Sequence, residues 1–297
     1  MKGAIMKKYN WIWVVLLSAV VAFAVVKISG PAAGSAPVAK ETAYERVKRT
    51  GVLRCGYATL PPMIMVDPKT REVSGMDHEI IELVAKKMGL KVEWTAETGY
   101  GTSQVGVASG KFDMFCNASW LDTRRAMAAS LSRPMYYNPM FPVVRYEDKR
   151  FDANLGILNN PQYIIAGLDN DPTMDVALQD YPLAKKFGWS ELVSYAEAVE
   201  SLLGNKADIF FSSYPTAADY IQKNPNKIRF LIDNPVRIFP VGYQLPADAK
   251  FKAVFDVALG EVILSGTMDK ILQKYLGTDP RNYLPVNKEY LDIGRGK

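Results

Sequence analysis

The sequence holds one histidine, His78, and two cysteines, Cys55 and Cys116, in 297 residues. That inventory cannot build a closed zinc site of the usual His and Cys kind. It also offers no Cys–His couple for thiol catalysis. Neither a metal nor a cofactor is expected. Excess charge is scarce as well: 36 Lys and Arg against 31 Asp and Glu leave a formal +5. The basic residues are scattered, so a nucleic-acid partner is not expected. What is present is the make-up of an ordinary folded domain, with 48% hydrophobic and 23% charged residues. The length allows a large core and two domains.

Residues 1–40 read as something other than the folded body. Lys2, Lys7 and Lys8 precede an apolar run from Trp11 to Val26, which is 16 residues long. A spanning helix needs roughly 20. A charged start and an apolar middle are the pattern of an export signal. The Gly/Pro/Ala/Ser stretch from Gly30 to Ala39 then reads as a tether or a cleavage zone. Ala22-Phe23-Ala24 and Ala32-Ala33-Gly34 are candidate processing sites. No cysteine lies near the end of the run, which excludes a lipid anchor there. Cleaved signal and uncleaved membrane anchor both remain open. Either places the body outside the cytoplasmic membrane.

The stretch from Asn117 to Tyr137, NASWLDTRRAMAASLSRPMYY, concentrates the chemistry. It follows the strand-like run Phe112–Cys116 and turns through Leu121 into a short helix capped by Asp122 or Thr123. Arg124 and Arg125 follow at once. A helix N-terminus presents unpaired N–H groups and a partial positive charge. A guanidinium there suits a carboxylate, whose two oxygens match its fork. Arg125 is the residue expected to hold an acidic group of a small ligand. Arg124, about 100° round the helix, is expected to point elsewhere. The alternative is that both are solvated helix arginines.

Around this stretch, strands and helices alternate. Val52–Tyr57 reads as a strand. A helix follows with Ile80, Ile81, Val84, Ala85 and Met88 on one face, stopped by Gly89. Then come strand Lys91–Trp94, helix Gln104–Ser109 and strand Phe112–Cys116. Such alternation predicts βαβ units and a parallel sheet. Ligands in open sheets of this kind bind beyond the carboxyl ends of the strands. Tyr57 and the segment Asn117–Ser119 sit at two of those ends. Cys55 and Cys116 fall on neighbouring strands. Parallel neighbours rarely give good disulfide geometry, so a buried free pair is the first expectation and a bridge the second.

Five stretches together resemble the family 3 extracellular solute-binding proteins, the polar amino-acid receptors of ABC importers. They are GVLRCGYATLPPM at 51–63, SGMDHEIIELVAKKMGLKVEW at 74–94, VASGKFDMFC at 107–116, DTRRAMAASLSRPMYY at 122–137 and SGTMDKILQKYLG at 265–277. The resemblance implies an α/β, two-lobed periplasmic-binding-protein fold of type II, with two crossing strands and a cleft between the lobes. Residues 44–139 would form the first part of lobe 1, 140–238 lobe 2, and 239–290 the second part of lobe 1 with the tail. The crossings would fall near Tyr136–Phe141 and Ile238–Gly242. One continuous sheet through residues 52–245 would count against that division. No role is assigned to the tail after Gly277.

The family's binding pattern carries over only in part. Its carboxylate-binding arginine matches Arg125. Its aromatic wall has Tyr100 as the nearest match, with Leu60 and Met63 where other pocket aromatics sit. Its small residue matches Ala118, beside Ser119, but its threonine is Trp120 here. The acidic position after the first strand is Tyr57, and the ammonium-binding aspartate at the end of a lobe 2 strand is Ser213. A buried ammonium without a carboxylate is costly. Either Asp169 or Asp171 supplies the acid from the neighbouring loop, or the solute is not a standard α-amino acid. In the second case, amine-free carboxylic acids should compete well. Trp120 either stacks on a flat solute or closes the hinge wall.

The expected function is an extracytoplasmic solute receptor working as a monomer with an ABC permease. Its cleft would trap an amino acid or a related organic acid. An enzyme on the same fold, dehydratase-like, would need a general acid in the cleft, for which only Asp169 and Asp171 offer themselves. A membrane-tethered sensor would need a signalling partner, since no signalling domain is recognised in the sequence.

Overall fold

The computed structural model describes residues 41–190, 193–233 and 235–286. The expectations for residues 1–40 lie outside them. In chain order the elements are α1 (Ala43–Thr50), β1 (Val52–Tyr57), β2 (Met65–Val66), β3 (Val73–Ser74), α2 (Met76–Lys87), β4 (Lys91–Glu97), α3 (Ser103–Ser109) and β5 (Met114–Trp120). Next come α4 (Thr123–Ala128), β6 (Ser130–Leu131), β7 (Tyr136–Arg145), β8 (Ile164–Leu168), α5 (Pro172–Asp180), β9 (Lys185–Trp189), α6 (Tyr195–Leu203) and β10 (Ile209–Ser213). The body continues with α7 (Tyr214–Lys223), β11 (Ile228–Phe230), β12 (Arg237–Leu245), α8 (Ala249–Leu264), α9 (Thr267–Leu276) and β13 (Leu284–Pro285). No helix among the described residues is long and apolar enough to cross a membrane.

Local chemistry accounts for several of these boundaries. Thr42 and Glu45 form a reciprocal capping box at α1, and Ser194 with Glu197 repeats it at α6. Gly75 opens α2 at φ 118°, and a Cβ there would lie 2.4 Å from the Met63 carbonyl oxygen. Only glycine allows that turn. It delivers Asp77 in the first turn of α2 beneath the end of β5, where Asp77 accepts from the Ala118 amide.

β1 pairs in parallel with β4 and β5, and β8 pairs in parallel with β9 and β10. Between these sets run β7 and β12, antiparallel to one another from Arg237↔Met140 to Val241↔Tyr136. These are the two crossing strands; they overlap the stretches Tyr136–Phe141 and Ile238–Gly242. Hydrogen bonding nevertheless runs unbroken through an eleven-stranded sheet, in the order β4-β1-β5-β12-β7-β10-β8-β9 with three short strands at its side. The expectation that no continuous sheet would link residues 52–245 therefore fails. The reason is the length of the crossings. At 10 and 9 residues, β7 and β12 pair with each other and still reach a strand on either side, β12 with β5 and β7 with β10.

The apolar cores stay separate where the backbone does not. One contains Leu53, Ile80, Met114, Tyr243, Phe255 and Leu272. Two others contain Met140, Phe151 and Ile165, and Phe141, Val199 and Phe210. The regions around the first and around the latter two are called here the first and second lobes. Trp120, on the last position of β5, packs on cores of both.

The described part of the tail packs on the first crossing strand. Leu284 and Pro285 pair with Tyr137 and Tyr136 of β7. Asn138 donates to the Asn282 carbonyl at 2.8 Å, and the Arg281 guanidinium lies 4.6 Å from the centre of the Tyr214 ring. The segment thus braces the crossing strand, a role its polar sequence did not reveal.

Cys55 and Cys116 form a disulfide, with their Cα atoms 5.5 Å apart. The expected free pair is corrected. Cys55 lies opposite Met114 in the β1–β5 register, so Cys116 is its diagonal neighbour and not its direct partner. Their Cα separation is nonetheless within the usual range of a bridge.

Candidate functional site

Asp122 is the N-cap of α4. Its side chain accepts from the Arg125 amide at 2.8 Å, which decides between the two caps read from the sequence. The cap also turns Arg125 inward, to 9% exposure. Arg125 Nη1 lies 2.5 Å from Asp122 Oδ2 and donates to the Trp120 carbonyl at 3.2 Å. Its Nη2 donates across to Asp171 Oδ2 of the second lobe at 3.3 Å. Asp171 is itself the N-cap of α5, accepting from the Thr173 amide.

Arg124 does point away from Arg125, but it is not a solvated bystander. It pairs with Asp175, one turn along α5 from Asp171. Two consecutive arginines of one lobe therefore meet two aspartates of the other, spaced by four residues on one helix face. Sequence reading missed Asp122 and Asp175 as partners. The signal available for Asp122 was its capping position.

Above this pair stands Tyr100, whose hydroxyl donates to the Ala118 carbonyl at 3.3 Å. Burial pushes its phenol well up, aided by the nearby Asp77 charge. Asn117 fixes the loop after β1, donating to the Ala58 carbonyl and accepting from its amide. Asp77 lies beneath, fully buried, and accepts from the Ala118 amide at 2.8 Å and the Tyr243 hydroxyl at 3.1 Å. One set of hydrogen bonds thus links α2, the end of β5, the crossing strand β12 and Tyr100.

The remaining candidates are more dispersed. Tyr57 is buried against Trp94, edge to face at 5.9 Å. Ser119 is buried, with Gln244 Nε2 3.4 Å from its hydroxyl. Trp120 stacks on Phe239 at 5.0 Å and donates to Asn138 Oδ1. It thus touches both β7 and β12. The Ser213 hydroxyl lies 2.5 Å from Thr216 at the head of α7. Asp169 is exposed, its carboxylate turned over Gly188 of β9. Of the two loop aspartates, Asp171 is the one beside Arg125.

Burial raises the Asp77 carboxyl to about 7, against two hydrogen bonds that favour its ionised form. Between about pH 4 and pH 7 the native state then keeps a proton that the unfolded chain has released. Its contribution to stability is complete below about pH 4 and is lost as pH rises to about 7, at up to about 1.4 kcal/mol per pH unit. Urea unfolding across that range should show the decline, and Asp77→Asn should flatten it. An identical slope in the two proteins would remove Asp77 as its source.

The family model for bacterial extracellular solute-binding proteins, family 3, matches residues 53–278. A relative named "Probable amino-acid ABC transporter-binding protein", from Haemophilus influenzae, is 24% identical over 242 residues, covering 79% of this chain and 88% of its own. Among solved structures, an ancestral amino acid-binding protein described as a precursor of cyclohexadienyl dehydratase superposes with TM-score 0.65 at 22% identity, over 78% of this chain and 97% of that one. A candidate ABC transporter binding component from Wolinella succinogenes, complexed with lysine, superposes with TM-score 0.64 at 21% identity, over 82% and 99%. The matched span carries Arg125, Asp122, Asp171 and the Asp77 linkage together, within a two-lobed type II periplasmic-binding fold. The chain therefore belongs to the family 3 bacterial extracellular solute-binding proteins.

Proposed function

We propose that the protein is the extracytoplasmic receptor of an ABC importer for an amino acid, with Arg125 receiving the carboxylate and Asp171 the ammonium. The observation that carries this is the Arg125–Asp171 pair spanning the two lobes. A zwitterion can enter such a pair when the lobes part. Its carboxylate replaces Asp171 on the guanidinium, and its ammonium replaces Arg125 on the carboxylate. Both buried charges stay compensated, as burial requires. The solute would then bridge the lobes and favour the closed state. Tyr100 and the Ala118–Ser119 backbone would form the floor.

In this reading lobe 1 comprises residues 44–139 and 239–290, and lobe 2 residues 140–238. The separate apolar cores favour that division although the sheet runs on through it, and Phe239 at its edge packs in a second-lobe core. The protein binds and does not catalyse in this reading: Asp171, the acid candidate beside Arg125, is committed to that guanidinium and to capping α5. It acts as a monomer with a membrane permease, and residues 11–26 export or tether it.

A thermal-shift screen of the purified chain against the twenty amino acids tests this, because a ligand of the native state raises the melting temperature by mass action. At least one should raise it, and Asp171→Asn should diminish that rise. A set of twenty flat responses would overturn the proposal.

A further inference from the structure

Arg125 is not free to offer its whole fork to a solute. Asp122 Oδ2 holds Nη1 at 2.5 Å, and the Trp120 carbonyl shares that nitrogen. Only Nη2 faces the second lobe, where Asp171 now accepts from it. Displacing Asp171 would leave one carboxylate still fixed on the guanidinium, because Asp122 is also tied to α4 as its cap. Next to it, Arg124 is taken by Asp175. Three carboxylates thus meet two guanidiniums at the lobe junction. Asp77, the other acid beneath it, lies close enough to influence Tyr100.

We infer that Asp122 is a charge-selecting residue of this cleft: its carboxylate on Arg125 turns away solutes of net negative charge and favours those with a positive charge to spare. This rests on the amino-acid reading above and narrows it. A zwitterion leaves the local charge as it was. A second carboxylate on the solute would add to an uncompensated negative charge at short range, where poor solvation strengthens repulsion. An added ammonium or guanidinium would be drawn to it. Asp122 is therefore not merely a helix cap, and the two roles separate cleanly. Asparagine caps a helix about as well as aspartate but carries no charge.

The experiment compares wild type with Asp122→Asn as purified full chains. Calorimetric titration with L-lysine, L-glutamine and L-glutamate, similar in size and differing in charge, gives the selectivity. Wild-type affinity should fall in that order, and the substitution should shrink the lysine-to-glutamate ratio at least tenfold. An unchanged ratio, or a wild type preferring glutamate, overturns the inference. A second arm needs no knowledge of the solute. Sodium acetate is titrated against sodium chloride at fixed ionic strength while melting temperature is read. Acetate should stabilise Asp122→Asn and leave wild type unmoved; equal responses overturn the role of Asp122. Should none of the three amino acids bind wild type, the reading of these solutes as ligands fails, and the acetate arm still decides Asp122 by itself.

Discussion

Arg125→Ala is expected to cost the protein its solute. Truncating one partner of a buried, hydrogen-bonded charge pair typically costs 2–5 kcal/mol, a loss of more than about thirtyfold in affinity. Here the loss should lie toward the upper end. Arg125 is 9% exposed and is flanked by Asp122 and Asp171. Its removal leaves two neighbouring carboxylates without their shared cation and takes away the guanidinium proposed to receive the solute's carboxylate. Arg125→Lys should recover part of the affinity, since an ammonium keeps the charge but cannot span Asp122 and the solute in one plane. Arg124→Ala should change affinity by a few-fold at most through closure, because Arg124 meets Asp175 in a half-exposed pair. Calorimetric titration of the three variants with whichever amino acid the screen selects reads these values. Equal affinities in wild type and Arg125→Ala would remove the residue from the site.

Opening the Cys55–Cys116 bridge is expected to give the largest loss of stability. The cysteines are 61 residues apart in sequence. Cross-linking a loop of that length restricts the unfolded chain by about 4 kcal/mol in the chain-entropy account. The bridge lies where β1 and β5 turn their carboxyl ends to the site, one residue before Asn117. Urea unfolding of the oxidised protein, of the same protein under reductant, and of the Cys55→Ala/Cys116→Ala double variant should give one high and two similar low midpoints. A difference below about 1 kcal/mol would mean that the unfolded chain is already restricted without the bridge.

Much of the fold could be read from neighbouring residues alone. The apolar spacing of Ile80, Ile81, Val84 and Ala85 set α2, with all four side chains buried. Alternation of strands with helices set the parallel pairing of β1 with β4 and β5. Strand β9 escaped because Lys185 and Lys186 open it, and a short edge strand led by two charges carries little apolar pattern. The tail escaped for a similar reason. It pairs through its backbone with β7, and backbone pairing leaves no mark on side-chain composition.

In the candidate site, the sequence by itself singled out Arg125. The cap, the strand end and the family resemblance all meet at residues 122–125, and each is a short-range property. Only the tertiary structure decided what Arg125 touches. Asp171 is 46 residues away; Pro172 after it marks a helix start, but no short-range signal ties that helix start to Arg125. The choice follows from where each side chain goes once α5 forms, with Asp171 drawn in as its N-cap and Asp169 left over Gly188 on β9. The disulfide was decided in the same way, by how closely β1 and β5, distant in sequence, approach at their carboxyl ends. Periodicity and caps act over a few residues and are written in the order of the chain. Charge pairs between lobes and diagonal contacts across strands depend on three-dimensional register, which exists only after the lobes have packed.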